Sequence, residues 1–331
     1  MDSLTQIVLG AAVAEVVAGR KLGNKALLLG AVGGTIPDLD VLSNLFFSEI
    51  ESLVIHRGFS HSIFFPLLIA PILSWLLVKM GWIKGLDFRT AFSLFFWAIF
   101  THPLLDALTG YGTQLFYPLW DYRVELNTIF IIDPLYTLPM LIALIWVSRL
   151  SRESEKRALV NRVGIFIAHS YLLLTILNKL LATAAIEGRL NRIGQMDEVM
   201  TMPAPFQNLV WQYIARQGDT YYVGYYGIGE ARDKFSPLVI EGNHALLDEW
   251  NQADEVRVLK RFSKGYYQVN QEANKLIFND LRFSTTKGWL DIGDYIFSFE
   301  LQAKGEEIEV RRRQAFREVS LDDLKKIYDR Y

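Results

Sequence analysis

No cysteine occurs among the 331 residues, so disulfides, thiolate zinc sites, iron–sulfur clusters and cysteine nucleophiles are all excluded. Any bound metal must be held by His, Asp, Glu or backbone oxygen. An excess of positive charge is missing too: 34 Lys and Arg stand against 36 Asp and Glu, a net charge of −2, which gives no global basic field to hold a nucleic acid backbone. Nucleic acid is not an expected partner. Histidine is scarce, at five residues, and charge of either sign is scarce in one part of the chain only. Residues 1–148 carry 8 Lys and Arg and 11 Asp and Glu, whereas 149–331 carry 26 and 25. With 51% hydrophobic residues overall, the first half reads as membrane and the end as water-soluble.

A bilayer core of about 30 Å needs about 20 helical residues, and the apolar stretches 63–78, 90–108, 129–147 and 163–185 come close to that. Two further stretches, 4–19 and 26–36, are weaker: Gln6 and Glu15 interrupt the first, and Pro37 ends the second after only about 16 Å of helix. A hairpin of these two that stopped short would leave Arg20, Lys21 and Lys25 in hydrocarbon at about 2.5–3.5 kcal/mol per charge, so both are read as crossing. Chain from Pro37 onward then sits at membrane depth, which is tolerated only where the backbone is buried in protein or lines a wet cavity. The loops 20–25, 79–89 and 149–162 hold 3, 3 and 5 Lys and Arg, against Arg57 alone in 41–61 and Arg123 alone in 110–128. The positive-inside rule puts the first set in the cytoplasm. The basic leader of a cleavable signal peptide is not expected at this N-terminus.

From about Glu187 short alternating runs take over, at 209–216, 220–228, 256–262, 266–269, 275–283, 295–301 and 308–312, and they read as strands. Segments 243–251 and 320–329 read as helices, the latter with Ser320 as N-cap. The expected architecture is an α-helical integral membrane bundle of about six spans over 1–186, followed by a small β-rich (α+β) extramembrane domain over 187–331 on the extracytoplasmic side.

Three of the five histidines fall in polar interruptions of the membrane half. Asp38 and Asp40 end the second segment, His56-Arg57-Gly58-Phe59-Ser60-His61-Ser62 opens the third, and His102 and Asp106 lie near the end of the fourth. The inferred topology brings all three patches to the outer helix ends. His102 and Asp106, four apart, project from one face of a helix, with Pro103 between them as a source of a kink. Ser60 is read as the N-cap of the third span, with His61 on its first turn and His56 in the loop above. Asp38, Asp40, His56, His61, His102 and Asp106 make six sulfur-free ligands, more than one four-coordinate zinc needs, so one or two divalent ions are expected. A pair of ions about 3.5–4 Å apart suits phosphodiester hydrolysis. Arg57 is then placed to neutralise the anionic transition state and Asp40 to take the proton. The bland reading of each patch is a helix cap, a snorkelling group or a polar network between helices.

These motifs, in this order and membrane setting, resemble those of the LexA-binding, inner-membrane-associated metal-dependent hydrolase family over roughly residues 1–148. That family is similar to zinc-dependent phospholipase C and P1-type nucleases, which build multinuclear zinc sites from helices and include a His-x-x-x-Asp pair. Related sequences commonly offer a histidine near the N-terminus where Gln6 stands here, so Gln6 is a weaker ligand, a donor behind the ligands, or neither. The resemblance implies an inner-membrane, metal-dependent hydrolase without naming its substrate.

The expected activity is hydrolysis of a phosphoester in a lipid or other amphiphile by metal-activated water, with membrane lipids as surroundings and a lipid-like substrate. A non-catalytic scaffold with a structural metal and a partner-binding outer domain is the alternative, and metal transport a weaker third. Outside the patches, Glu15 is expected to pair with a neighbouring span or basic loop, and His169 and His244 to be satisfied structurally. The aromatic loop 111–123 reads as a lid or an interfacial belt, and Asp133 as a helix cap or a neighbour of the site. The paired tyrosines 221–222, 225–226 and 266–267 read as strand core, and Arg311, Arg312 and Arg313 as an edge or surface feature.

Overall fold

The computed structural model describes residues 1–231, 234–285, 294–305 and 307–313. Two compact units result, one made of 1–43, 55–177 and 205–207, the other of 44–54, 178–204 and 208–331.

The first unit is helical. Asp2 caps α1 (Ser3–Leu22) by accepting from the Thr5 amide at 3.0 Å. Gly23, at φ 58°, turns the chain straight into α2 (Asn24–Thr35). These helices meet through small residues four apart, Gly10 and Ala14 on α1 against Gly30 and Gly34 on α2, so closely that a Cβ on Gly34 would strike the Gln6 carbonyl. Beyond α2 a 3₁₀ helix runs over Ile36–Leu45, where Pro37 lacks the N–H that an α-helix needs. After α3 (Glu49–Ile55) and a short 3₁₀ turn at Phe59–His61 comes α4 (Phe65–Met80), which ends on the left-handed Gly81. Ser60 does not cap α4: that helix starts later, and Ser60 binds Asp40 instead. Asp87 caps α5 (Phe88–Asp106), which runs through Pro103. Asp133 followed by Pro134 opens α6 (Pro134–Val147), and α7 (Glu155–Leu190) is 36 residues long.

Among the described residues, three helical stretches are long and apolar enough to cross a membrane, Ser3–Leu22, Asn24–Leu45 and Glu155–Leu190; Glu49–His61 with Phe65–Met80, bent by 67°, makes a fourth if that pair is one span. Both stretches that looked weak in the sequence are thus among the longest helices. Conversely, 129–147 yields only the 14-residue α6, because residues 128 and 129 donate back to the Leu108 carbonyl and Asp133 starts the helix afresh. The three cation-bearing loops gather at one pole: Lys21 pairs with Asp87, and the Asn24 amide donates to the Ser148 carbonyl at 2.8 Å.

The second unit contains two antiparallel meanders. One is β1 (Glu198–Pro203), β2 (Val210–Gln217), β3 (Thr220–Gly227) and β4 (Leu238–Glu241); the other is β5 (Tyr267–Glu272), β6 (Lys275–Asp280), β7 (Ser298–Lys304) and β8 (Glu307–Arg313). On β3, Tyr221, Val223 and Tyr225 enter one core while Tyr222 and Tyr226 enter another beneath Ala182, Ile186 and Leu190 of α7. The tyrosines are core on both faces. Residues 256–262 form a helix rather than a strand, α8 (Asp254–Phe262): Val256, Leu259 and Phe262 are buried at a spacing of three, with Asp254 and Glu255 in the first turn and Lys260 and Arg261 in the last. Segment 243–251 is largely a 3₁₀ helix, His244–Trp250. Strands β1 and β4 escaped the sequence reading, and the expected helix 320–329 lies outside the described residues.

Candidate metal centre

At the pole of the first unit away from the cation-bearing loops, four side chains turn toward one another. Asp38 comes from the 3₁₀ helix after α2, His61 from the 3₁₀ turn before α4, and His102 and Asp106 from one face of α5. One ligand atom from each lies within 4.8 Å of all the others. His61 Nε2 and His102 Nε2 are 3.1 Å apart. Asp38 Oδ1 is 3.4 Å from each of those nitrogens, and Asp106 Oδ2 is 3.3 Å from His61 and 3.6 Å from His102. His61, His102 and Asp106 are fully buried, whereas the Asp38 side chain is 22% exposed.

The surroundings orient these donors inward. His102 Nδ1 lies 2.6 Å from the Gly34 carbonyl, which can only accept, so the neutral ring carries its proton there and presents a lone pair at Nε2. His61 Nδ1 faces Asp40 Oδ2 at 3.2 Å, which sets the same tautomer. Two lone pairs and two carboxylate oxygens therefore converge. Asp106 Oδ1 accepts from the Gln6 amide at 2.9 Å and from the Met1 amino group, but its buried Oδ2 has no hydrogen-bond partner among the described residues. Four acceptors around one point are satisfied by a cation. The five separations above also match a tetrahedron: bonds of about 2.0–2.1 Å give edges of about 3.3–3.4 Å. The donor set and its orphaned oxygen fit a divalent ion.

Asp40 and His56 stand beside this group rather than within it. Asp40 Oδ1 is 2.9 Å from His56 Nδ1, and Oδ2 accepts from the Arg57 amide at 2.8 Å and the Ser60 hydroxyl at 3.0 Å as well as meeting His61. One carboxylate thus joins both histidines of the His-Arg-Gly-Phe-Ser-His motif. Buried Arg57 brings Nε to 3.4 Å from Asp106 Oδ2, donates to the Thr109 hydroxyl at 3.2 Å and stacks its guanidinium 4.9 Å from the Tyr111 ring. Its φ of 56° is unusual for a residue with a side chain, and both of its peptide neighbours are tied, the amide to Asp40 and the carbonyl to the Gln114 amide at 3.0 Å.

Of the six expected ligands, four form the group and two, Asp40 and His56, form a hydrogen-bonded pair against it. Gln6 touches Asp106 and donates to the His102 carbonyl at 3.3 Å. The Gly34 carbonyl went unnoticed in the sequence, and the Ser60 hydroxyl was read as a helix cap rather than as a partner of Asp40; Gly30 and Gly34, spaced for close helix contact, were the available signal for the first. Loop 111–123 buttresses the site through Tyr111, Gln114 and Arg123, whose guanidinium donates to the His56 carbonyl at 3.0 Å, while Phe116, Leu119, Trp120 and Tyr122 stay exposed. Asp133 is a helix cap that also accepts from Tyr171. His169 bonds within α7, His244 stacks on Tyr267 at 4.2 Å and pairs with Asp219, and Arg311 and Arg313 pair with Glu309 and Glu272 on and beside the edge strand.

A helical membrane unit with a buried His/Asp group able to hold a metal is the class that this fold and geometry define. The sequence model of the YdjM inner membrane protein family matches residues 1–182, and the chain belongs to that family, the LexA-regulated group that its motifs resemble. No curated protein and no solved structure matches the chain.

Proposed function

We propose that the chain is a six-span hydrolase of the inner membrane that uses a divalent metal, zinc by the chemistry of its ligands, to cleave a phosphoester in a lipid or other amphiphile. The observation that carries this reading is the inward convergence of Asp38, His61, His102 and Asp106 around an orphaned carboxylate oxygen, with a buried arginine alongside. A bound ion supplies Lewis acidity, acidifying water toward a pKa of about 7 and drawing charge from a phosphoryl oxygen. Arg57, fixed by Tyr111 and Thr109, neutralises the charge that builds on the phosphoryl oxygens. Asp40 and His56 form the proton-handling pair, Asp40 fixing Nδ1 and leaving Nε2 of the one-third-exposed ring to exchange a proton with water or the leaving oxygen. Asp40 also holds His61 in its ligand tautomer, and Gln6 holds Asp106. The cation-rich loops 20–25, 79–89 and 149–162 support an extracytoplasmic side for the His/Asp site and for the domain after Glu187.

Lipid extracts of cells carrying the wild-type protein and cells carrying Asp106→Ala test substrate class and catalysis together. One phosphorylated amphiphile accumulating with the variant is expected; identical extracts, with purified wild type inert toward phosphodiester lipids, would overturn the reading. The presence of four protein donors favours a second reading, because structural zinc sites are closed by protein ligands and catalytic ones keep a position open. Cobalt-substituted protein separates the two: exchangeable water on the metal belongs to the hydrolase and its absence to the scaffold.

A further inference from the structure

The opposite pole of the first unit holds a second cavity, of about 690 Å³, between α1, the start of α5 and the start of α7. Six cations line it, Arg20, Lys21, Arg152, Lys156, Arg157 and Arg162, against the two carboxylates Glu15 and Glu155. Half of that charge is already answered. Arg157 is consumed by Glu15, Lys21 by Asp87 and Arg152 by Glu153. Arg20, Lys156 and Arg162 have no ion-pair partner among the described residues. Against these three cations the wall leaves Glu155 as its one carboxylate outside those pairs, so it stays net positive and suits an anion.

The cavity continues into an apolar one. A groove of about 450 Å³ along α1, α5 and α7 shares Val16 and Val17 with it and proceeds past Trp97 and Leu104 toward Leu9 and Leu172. From Arg20 to Leu9 the rise along α1 is about 16 Å, close to half of the ~30 Å hydrocarbon core. A polar chamber with uncompensated cations, joined to an apolar trough one leaflet deep, has the shape and charge of a phospholipid. We propose that α1, α5 and α7 bind one anionic glycerophospholipid, its phosphate at Arg20, Lys156 and Arg162 and an acyl chain in the groove beneath Val16 and Val17. The phosphate end lies at the other end of α1 and α5 from the His/Asp group, and the proposal does not depend on the hydrolase reading. Basic pockets at the ends of membrane helices suit anionic head groups on general electrostatic grounds.

The full-length protein is reconstituted in nanodiscs of equal phosphatidylglycerol and phosphatidylcholine, re-extracted, and its retained lipid counted by mass spectrometry. Wild type is expected to keep about one phosphatidylglycerol per chain and to exclude phosphatidylcholine. The triple variant Arg20→Gln, Lys156→Gln, Arg162→Gln should lose at least tenfold in retention, since each cation near a membrane surface is worth about fivefold. Val16→Trp fills the groove without changing charge and should lower retention several-fold, so it decides the matter even if the triple variant fails to fold. Lys25→Gln, a cation outside the cavity, should leave retention unchanged. Equal retention by wild type and Val16→Trp, or of the two lipids by wild type, would overturn the proposal. A free-phosphate site would show instead as glycerol 3-phosphate displacing the lipid from wild type at equal concentration, which also overturns it.

Discussion

Two buried charged clusters lie in the same helical unit, and they are built on opposite principles. In the first, Arg157 donates Nε and Nη2 to the two oxygens of Glu15, each at 2.7 Å, and Nη1 to Asn24 and to the Val147 and Leu150 carbonyls. Each charge there is met by the other, and both groups are nearly inaccessible. In the second, His61, His102, Asp38 and Asp106 present electron pairs to one another and leave Asp106 Oδ2 without a hydrogen bond. A buried charge completed by its neighbours fixes helices. A buried cluster that lacks one cation receives a ligand.

That contrast breaks most visibly at Glu15. Glu15→Leu strands Arg157 in the bundle and should cost about 3–5 kcal/mol, seen as a lower melting temperature in detergent, with metal content per folded chain unchanged. The double variant Glu15→Leu, Arg157→Met should recover most of that loss; no recovery would mean that the pair does more than cancel itself. Gly34→Ala comes next. Its Cβ meets the Gln6 carbonyl, so α2 must shift, at the cost of about 1–3 kcal/mol typical of an overpacked core, and the Gly34 carbonyl leaves His102. Stability and metal affinity should fall together, whereas an undisturbed affinity would show that this carbonyl does not orient the ring. Asp40→Asn keeps the fold and weakens the hold on His61, lowering metal affinity about 10- to 100-fold in a competition titration with a chelator. The smallest effect on metal is expected for His56→Ala, which should leave affinity within about threefold, as orienting contacts behind a ligand matter far more than neighbours one step further away; a larger loss would make His56 a ligand after all.

Much of the candidate site was legible because its residue types are rare in their setting. Histidines and aspartates stand out in an apolar half with few charges, and the spacing of His102 and Asp106 puts both on one helix face whatever else the fold does. What could not be read was the division of labour among six donors. Whether Asp40 points at a metal or at His61 depends on how a 3₁₀ helix aims successive side chains, and no periodicity in the sequence encodes that. Helix lengths misled for a related reason. Hydropathy rates 129–147 above 4–19, yet backbone hydrogen bonds to Leu108 hold residues 128 and 129 out of helix, while the small residues Gly10, Ala14, Gly30 and Gly34 let the less apolar pair pack. In the second unit, Val256 and Val258 imitate a strand, but the buried positions follow Val256, Leu259 and Phe262.

The central claim is that four side chains from three separate segments hold one divalent cation. Metal counted by inductively coupled plasma mass spectrometry, on protein purified without chelator, tests it directly. Wild type should carry at least one divalent ion per chain, and His61→Ala and Asp106→Asn should each carry close to none while Glu15→Gln carries the wild-type amount. Metal-free wild type, or an unchanged count in both site variants, would contradict the account.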